Sequence, residues 1–525
     1  MRRLILIAFA SVTVGASATA QQLTTFQEPE LATTHHQIHV NGAALNYIAR
    51  VGVIPIRNNE AGEIHGYFGF TYYALGRAPG QPARPVMLIW NGGPGSNSTT
   101  VQFMGFGPRR MKTADDAAHP TPVEPELYDN DVTWLEFADL VFVDPVGTGF
   151  GRPAKPEFVA EFYSTLGDIA STAEFIRVFR TRFDLLNAPV FVAGESYGTW
   201  RAAGAAEALE RRGQHVNGVV LISGGLAMGQ VGTDAVRTAL FVPARTATAF
   251  YHKKLANDLM RDEAAAEKEA RDWALSIYAP AWERRETLND DEREKIIAGI
   301  ARYTGVDPST IDRKNLMMTS PQFTSTLLKE QGLTLGRYDM RVTQAAGGRG
   351  GSAAPDGTGA ARNEVIMRYM RQELAFKTDL AYQGAETGYS STLAGGRGAG
   401  PGSRWKWDQG ETPLASGDPA TTRANQAVVG SGDGPPGGSQ PWMRRAMGIN
   451  PSMKLFVAAG QYDSLNSCAD NEYLVTTLDP NVARNVTTGC YGGGHMMYDT
   501  KDARFRLRRD IAAFVASATA ATGRP

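Results

Sequence analysis

Hydrophobic and polar positions along the chain fall into three regimes. From about residue 37 to 75 they alternate, as in Gln37-Ile38-His39-Val40, Leu45-Asn46-Tyr47-Ile48-Ala49 and Gly66 to Tyr73. Strict alternation predicts antiparallel strands, here a hairpin with one solvated face. Short unbroken apolar runs follow: Val86 to Trp90, Leu140 to Val143, Val190 to Ala193, Val219 to Ile222 and Leu455 to Ala458. A strand covered on both faces needs no polar side, so these runs predict buried parallel strands. Asp168 to Phe183 reads as an amphipathic helix, and Trp200 to Leu209 as an alanine-rich one. Strand, crossover and strand repeated in this way predict a doubly wound α/β sheet, mostly parallel and flanked by helices.

The third regime breaks that rhythm between about 230 and 450. Residues 253–302 carry helix-surface charge patterns, such as Asp290-Asp291-Glu292-Arg293-Glu294-Lys295, and no core-type strand. This predicts an inserted, largely helical cap. Three glycine-rich stretches, Ala345 to Ala361, Gly395 to Gly402 and Gly430 to Gly438, are expected as loops. The expected organisation is a signal peptide over 1–20, a first core part over 21–230, the cap over 231–450 and a second core part over 451–525.

The signal is read from Arg2 and Arg3, the apolar run from Leu4 to Ala10, and the cleavage pattern Ala18-Thr19-Ala20. An uncleaved anchor is the alternative. The cleaved chain would begin at Gln21 and be periplasmic or secreted, and no other run is long and apolar enough to span a bilayer. Losing the two arginines from 53 basic residues, against 54 acidic, takes the net charge from −1 to about −3. That balance argues against a nucleic-acid partner. Export also colours the only two cysteines, Cys468 and Cys490. A disulfide is expected, with two buried free thiols as the alternative. They make no zinc site, no phosphate-binding glycine motif occurs, and neither metal nor cofactor is expected.

Chemistry enters with Gly194-Glu195-Ser196-Tyr197-Gly198, which lies between a predicted strand and a predicted helix. In that context the pentapeptide is a nucleophile elbow, with Ser196 held up at the end of the sheet. A serine hydroxyl needs a base within reach, and the base needs an orienting carboxylate. In an α/β-hydrolase the order is Ser, Asp or Glu, His. Asp463 follows the strand at 455–459 on the turn Gly460-Gln461-Tyr462-Asp463, and His495 lies in Gly492-Gly493-Gly494-His495-Met496. An Asp after a strand is often only a turn cap, and a lone His is often structural. The chain has eight histidines, however, and His495 is the only one after His252. If Ser196 is the nucleophile, elimination leaves His495 as base. The Tyr197 N–H would be one oxyanion donor, and the loop Asn91-Gly92-Gly93-Pro94-Gly95 would supply the second unless it is a plain turn.

At this point the chain resembles the serine carboxypeptidase family of the α/β-hydrolase superfamily. Four blocks match in order: Asn91 to Ser96, Asp144-Pro145-Val146-Gly147-Thr148-Gly149-Phe150, Gly194 to Gly198, and Gly493-Gly494-His495-Met496, with Gly460 to Asp463 as a weaker fifth. The resemblance implies Ser196 as nucleophile, Asp463 and His495 as its partners, and oxyanion donors at Gly93 and Tyr197. It implies that Asn91, Gly92 and Glu195 hold the substrate's C-terminal carboxylate, with Glu195 protonated. Met496 would border the leaving-residue pocket, though the residue alone could equally be core. Trp405-Lys406-Trp407 could touch substrate or pack locally.

Three positions depart from the family: its Trp-x-Asn becomes Ile89-Trp90-Asn91, Gly105 stands where it has a second carboxylate-binding glutamate, and Asn466 replaces a cysteine. Gly105 removes one support for recognising a free C-terminus. The function expected is an exported serine carboxypeptidase acting on peptide or protein C-termini through an acyl-enzyme, favoured at acidic pH. The alternatives are an esterase or acyltransferase on the same scaffold, or an inactive exported binding protein.

Overall fold

The computed structural model describes residues 28–76, 80–116, 118–119, 123–229, 232–347, 359–386, 401–408 and 440–520. The expected signal peptide lies outside them, as do the stretch at Gly430 to Gly438 and most of the two other glycine-rich stretches.

The chain enters through a meander of β1 (Ala32–Val40), β2 (Ala43–Arg57) and β3 (Ile64–Leu75). Asn41 and Gly42 connect the first pair, both at positive φ (50° and 80°), with Val40 opposite Ala43. Two left-handed residues give a hairpin turn whose twist matches the strands it joins. Alternation marks β1 and the start of β2 but disappears after Val51. Val51 and Val53 belong to one apolar cluster while Ile54 and Ile56 belong to the other, so this half of β2 is covered on both faces.

The main sheet continues with β4 (Val86–Trp90), β5 (Asp139–Asp144), β6 (Val190–Glu195), β7 (Gly218–Ile222), β8 (Lys454–Gly460) and β9 (Val486–Tyr491). The sheet runs β1-β2-β3-β5-β4-β6-β7-β8-β9, with the short Arg152–Pro153 pairing on β3. From β5 across to β9 every pairing is parallel, whereas β1, β2, β3 and β5 pair antiparallel. β9 carries no sequence signal of the kind the other parallel strands show. It is the edge strand, Val-Thr-Thr-Gly-Cys-Tyr, and is half-exposed over most of its length.

Helices cover both faces. α1 (Thr165–Arg182) is capped by Ser164, whose Oγ accepts from the Gly167 N–H. With α2 (Gly198–Arg211) it packs Leu166, Ile169, Phe175, Ala202, Ala206 and Leu209 onto one side of the sheet.

The inserted region begins with α3 (Val242–Tyr251), α4 (Glu263–Trp273) and α5 (Asp290–Thr304). α5 opens with a capping box between Asn289 and Glu292 and ends at Gly305, φ 70°. Such ends satisfy backbone groups that the helix itself cannot. Residues between Ala235 and Met340 gather round an apolar core of their own, including Ile296, Ile300, Leu316 and Phe323. Other parts of the expected insertion pack into the main body instead. Ile366, Tyr369, Phe376 and Tyr382 join the cluster on one face of the sheet, and α6 (Trp442–Ile449) buries Trp442 and Met443 on the other. α7 (Cys468–Thr476) and α8 (Lys501–Ala520) complete the chain, with Leu507, Ile511 and Phe514 of α8 buried under the sheet.

A mostly parallel sheet between helical layers, with an antiparallel edge and a largely helical insertion before the last two strands, is the α/β-hydrolase fold. Such sheets bind ligands beyond the carboxyl ends of their strands. Here those ends lead to Asn91 after β4, Glu195 as the last residue of β6 with Ser196 after it, Ser223 after β7, Asp463 after β8 and His495 after β9.

Candidate active site

The turn at Ser196 is sterically demanding. Ser196 has φ 58°, a left-handed conformation unusual for a residue with a Cβ. A Cβ on Gly194 would lie 1.9 Å from the Gly198 carbonyl oxygen, and one on Gly198 would lie 2.8 Å from Trp90 Cδ1. Only glycine lets strand and helix approach this closely. The Ser196 N–H donates to the Ile222 carbonyl at 2.9 Å, which ties the turn to the end of β7. α2 starts two residues later, so its positive end lies beside the half-buried serine.

The Asn91–Gly95 loop lies against this turn. A Cβ on Gly92 would come within 2.5 Å of the Tyr197 nitrogen and 2.6 Å of the Glu195 carbonyl oxygen. Two backbones that close can direct N–H groups at one point. A buried network holds them together: Arg201 Nη1 donates to the Asn91 carbonyl at 2.9 Å, Arg201 Nε to Asp168 at 2.8 Å, and the Tyr197 hydroxyl to Asp168 at 3.1 Å. The pair Arg201–Asp168 is sealed from solvent, so removing either partner would strand a charge. The block around Asp144 serves the same loop from the other side. Asp144 Oδ1 accepts from the Ser98 N–H at 2.8 Å, and burial pushes its carboxyl up to about 6.

Asp463 and His495 come together beyond the ends of β8 and β9. His495 Nδ1 and Asp463 Oδ2 are 2.8 Å apart, and both residues are buried. The same carboxylate accepts from Asn466 Nδ2 at 2.9 Å and from the Leu465 N–H at 2.9 Å. Asn466 also donates to the Ser223 carbonyl at 3.0 Å. His495 Nε2 is buried and has no hydrogen-bond partner, so no bond joins it to Ser196 Oγ in this structure. Contacts of that kind commonly tighten only when substrate is bound. Burial by itself would lower the His495 pKa. The Asp463 carboxylate outweighs it through charge and hydrogen bond, Glu195 adds to the same side, and the pKa stands above 6.5.

The segment over residues 337–340 reaches this pair. The Tyr338 carbonyl accepts from the His495 N–H at 2.5 Å, the Met340 N–H donates to Tyr462 at 2.9 Å, and Ser464 Oγ donates to Arg337 at 2.6 Å. From behind, Cys468 is bonded to Cys490. The bridge joins the start of α7, just after Asp463, to β9, just before His495.

Glu195 is the remaining member, 4% exposed. Its Oε1 accepts from Asn91 Nδ2 at 3.1 Å, and its Oε2 from the Tyr498 hydroxyl. Burial pushes its carboxyl up to about 7 against the opposing pull of His495, Tyr498 and Asn91. An acid poised there can hold a proton at mildly acidic pH, unlike a solvated glutamate.

A family model for serine carboxypeptidases matches residues 62–342. The chain belongs to the serine carboxypeptidase family. Among curated proteins, it is 30% identical over 131 residues to the pheromone-processing carboxypeptidase KEX1 of Puccinia graminis f. sp. tritici, covering 24% of this chain and 18% of that protein. Its counterpart in Tuber melanosporum is 27% identical over 210 residues, 33% of this chain and 30% of that protein. The aligned segment therefore spans under a third of these relatives' length. Among solved structures, the prohormone-processing carboxypeptidase Kex1Δp of Saccharomyces cerevisiae superposes with a TM-score of 0.50 at 15% identity, over 90% of this chain and 91% of that one. That likeness speaks to the fold.

The family's blocks thus meet at one end of the sheet, with Ser196, Glu195, Asn91, Asp463 and His495 on neighbouring strand ends. At the position where the resemblance led us to expect a glutamate, Gly105 is buried, and a Cβ there would sit 3.7 Å from the Tyr498 ring. Met496 is half-buried and packs against the main apolar cluster. Trp405 and Trp407 stand edge-on to Tyr197, with ring centroids 5.3 and 5.5 Å away, and Trp405 Nε1 donates to Thr165 Oγ1 at 3.3 Å. Sequence reasoning missed Tyr498, the Arg201–Asp168 pair and the Tyr338 carbonyl. Their partners lie 303, 33 and 157 positions away along the chain, and none belongs to a local motif.

Proposed function

We propose that this chain is an exported serine carboxypeptidase that releases C-terminal residues through an acyl-enzyme, periplasmic or secreted, with residues 21–230 and 451–525 as its core and 231–450 as its cap. Ser196 is the nucleophile, His495 the base and Asp463 the carboxylate that orients it. His495 Nε2 takes the Ser196 proton as Oγ attacks the last peptide carbonyl, while Asp463 steadies the imidazolium through Nδ1–H. The N–H groups of Gly93 and Tyr197 receive the oxyanion. Collapse breaks the C–N bond, His495 returns the proton to the leaving amine, and water attacks the acyl-Ser196 by the same route in reverse.

The observation that carries this reading is Glu195. A buried carboxyl with a pKa near 7, next to the elbow serine and bonded to Asn91, suits a substrate carboxylate that can be bound only if one of the two acids is protonated. With Asn91 and Gly92 it forms the carboxylate site, and Met496 borders the leaving residue. Glu195 must keep its proton and His495 must be free of its own, so release from free C-termini is confined to a narrow band near pH 7, falling above it as Glu195 ionises and below it as His495 is protonated. The test compares free and C-terminally amidated peptides with wild type and Ser196→Ala. Wild type should act on the free form and lose this preference above pH 7, and Ser196→Ala should lose about 10⁴-fold or more. Equal cleavage of the two forms would sink the carboxypeptidase reading.

A further inference from the structure

We propose that Tyr498 is a positioning residue of this site, which seats its hydroxyl on Glu195 Oε2 and so favours the ionised form of the Glu195 carboxyl. The proposal rests on the carboxypeptidase reading for its consequence, though not for its geometry.

Both oxygens of Glu195 are engaged by neutral groups, Oε1 by Asn91 Nδ2 and Oε2 by Tyr498 Oη. The Asn91 amide cannot flip to accept a proton from Glu195, because its Oδ1 already accepts from the Val101 N–H at 3.0 Å. Tyr498 is equally constrained. It is 1% exposed, its ring meets Phe106 edge-on at 5.1 Å, and Phe106 stacks on Trp134 at 3.7 Å. Its carbonyl accepts from the buried Arg110 at 3.3 Å. The short turn Met497–Asp499 begins two residues after His495, so one segment carries both the base and the partner of Glu195.

A phenol can donate to a carboxylate or to the carbonyl oxygen of a carboxylic acid. Burial and the facing carboxylates of Glu195 and Asp499 hold the Tyr498 phenol far above its usual pKa, so it remains a hydroxyl throughout. The charged groups facing Glu195 are His495, which favours its ionised form, and Asp499, which opposes it. The Tyr498 bond favours the ionised form of Glu195, so Tyr498 sets the pH at which the proton is lost.

The test uses the full chain and the infrared stretch of the protonated Glu195 carboxyl, assigned by its loss in Glu195→Gln. In Tyr498→Phe, the band should move in frequency and persist about one pH unit higher, since a donor to the charged form is gone. Release from free C-terminal peptides should extend upward by the same interval. Ser196 labelling by a fluorophosphonate reports that the variant is folded. If Tyr498→Phe does not fold, 3-fluorotyrosine at position 498 decides. Its more acidic hydroxyl donates more strongly and should move the limb the opposite way, to lower pH. A band and titration that superimpose on wild type in either folded variant overturn the proposal. Equal wild-type cleavage of free and amidated peptides refutes only the carboxypeptidase reading, because the infrared titration still decides the part of Tyr498.

Discussion

Glu195→Gln turns the electrostatics of the site into a stability measurement. The carboxyl rises from an ordinary 4.5 to about 7 because it is buried. Between those values the unfolded chain releases the proton and the native chain keeps it. The stabilising contribution is therefore complete below about pH 4.5, is lost as pH rises through about 7, and is constant beyond. At about 1.4 kcal/mol per unit, the loss is about 3 kcal/mol. Glutamine imitates the protonated acid and can keep both contacts, its oxygen facing Asn91 Nδ2 and its amide facing Tyr498 Oη. Urea unfolding of wild type and Glu195→Gln, at about pH 4 and about pH 8, isolates the effect. Any cost of the replacement itself appears at both values, so the difference between the two pH conditions carries the result. Glu195→Gln should gain about 3 kcal/mol on wild type between them. A stability difference that does not change with pH would refute the reasoning, since Glu195 would then ionise like a solvated carboxyl.

Two further outcomes follow from the geometry. Gly92→Ala places a Cβ 2.5 Å from the Tyr197 nitrogen and should displace that N–H, lowering kcat by about 10²-fold with an unchanged circular dichroism spectrum; full activity would mean that Tyr197 is no oxyanion donor. Replacing Cys468 and Cys490 by alanine opens a link of sequence separation 22 and should cost about 3 kcal/mol in urea unfolding, a loss that reductant reproduces in wild type and not in the variant.

How much of this was legible depends on distance along the chain. The buried parallel strands declared themselves because a strand covered on both faces is a continuous apolar run, as in Val86–Trp90. The same burial hid the second half of β2, where Pro55 interrupts the run and alternation has gone. β9 escaped because an edge strand with Thr487, Thr488 and Gly489 has no apolar run at all. Asp463 and His495 were reachable by chain order and elimination, and the structure hydrogen-bonds them. Tyr498 was not, because its meaning is a contact 303 residues away. Asn466 stood out in sequence only as a missing cysteine, and the structure makes it a donor to Asp463.

The segment from Arg337 to Met340 has a consequence for anyone redesigning this molecule. It supplies the carbonyl that holds the His495 backbone and grips Tyr462 and Ser464 on either side of Asp463. The insertion has its own core and looks like a module that could be exchanged for another. Cutting it away would also unpin the two loops on which His495 and Asp463 stand. A graft that alters specificity while sparing turnover therefore has to leave residues 337–340 in place and vary the helices beyond them.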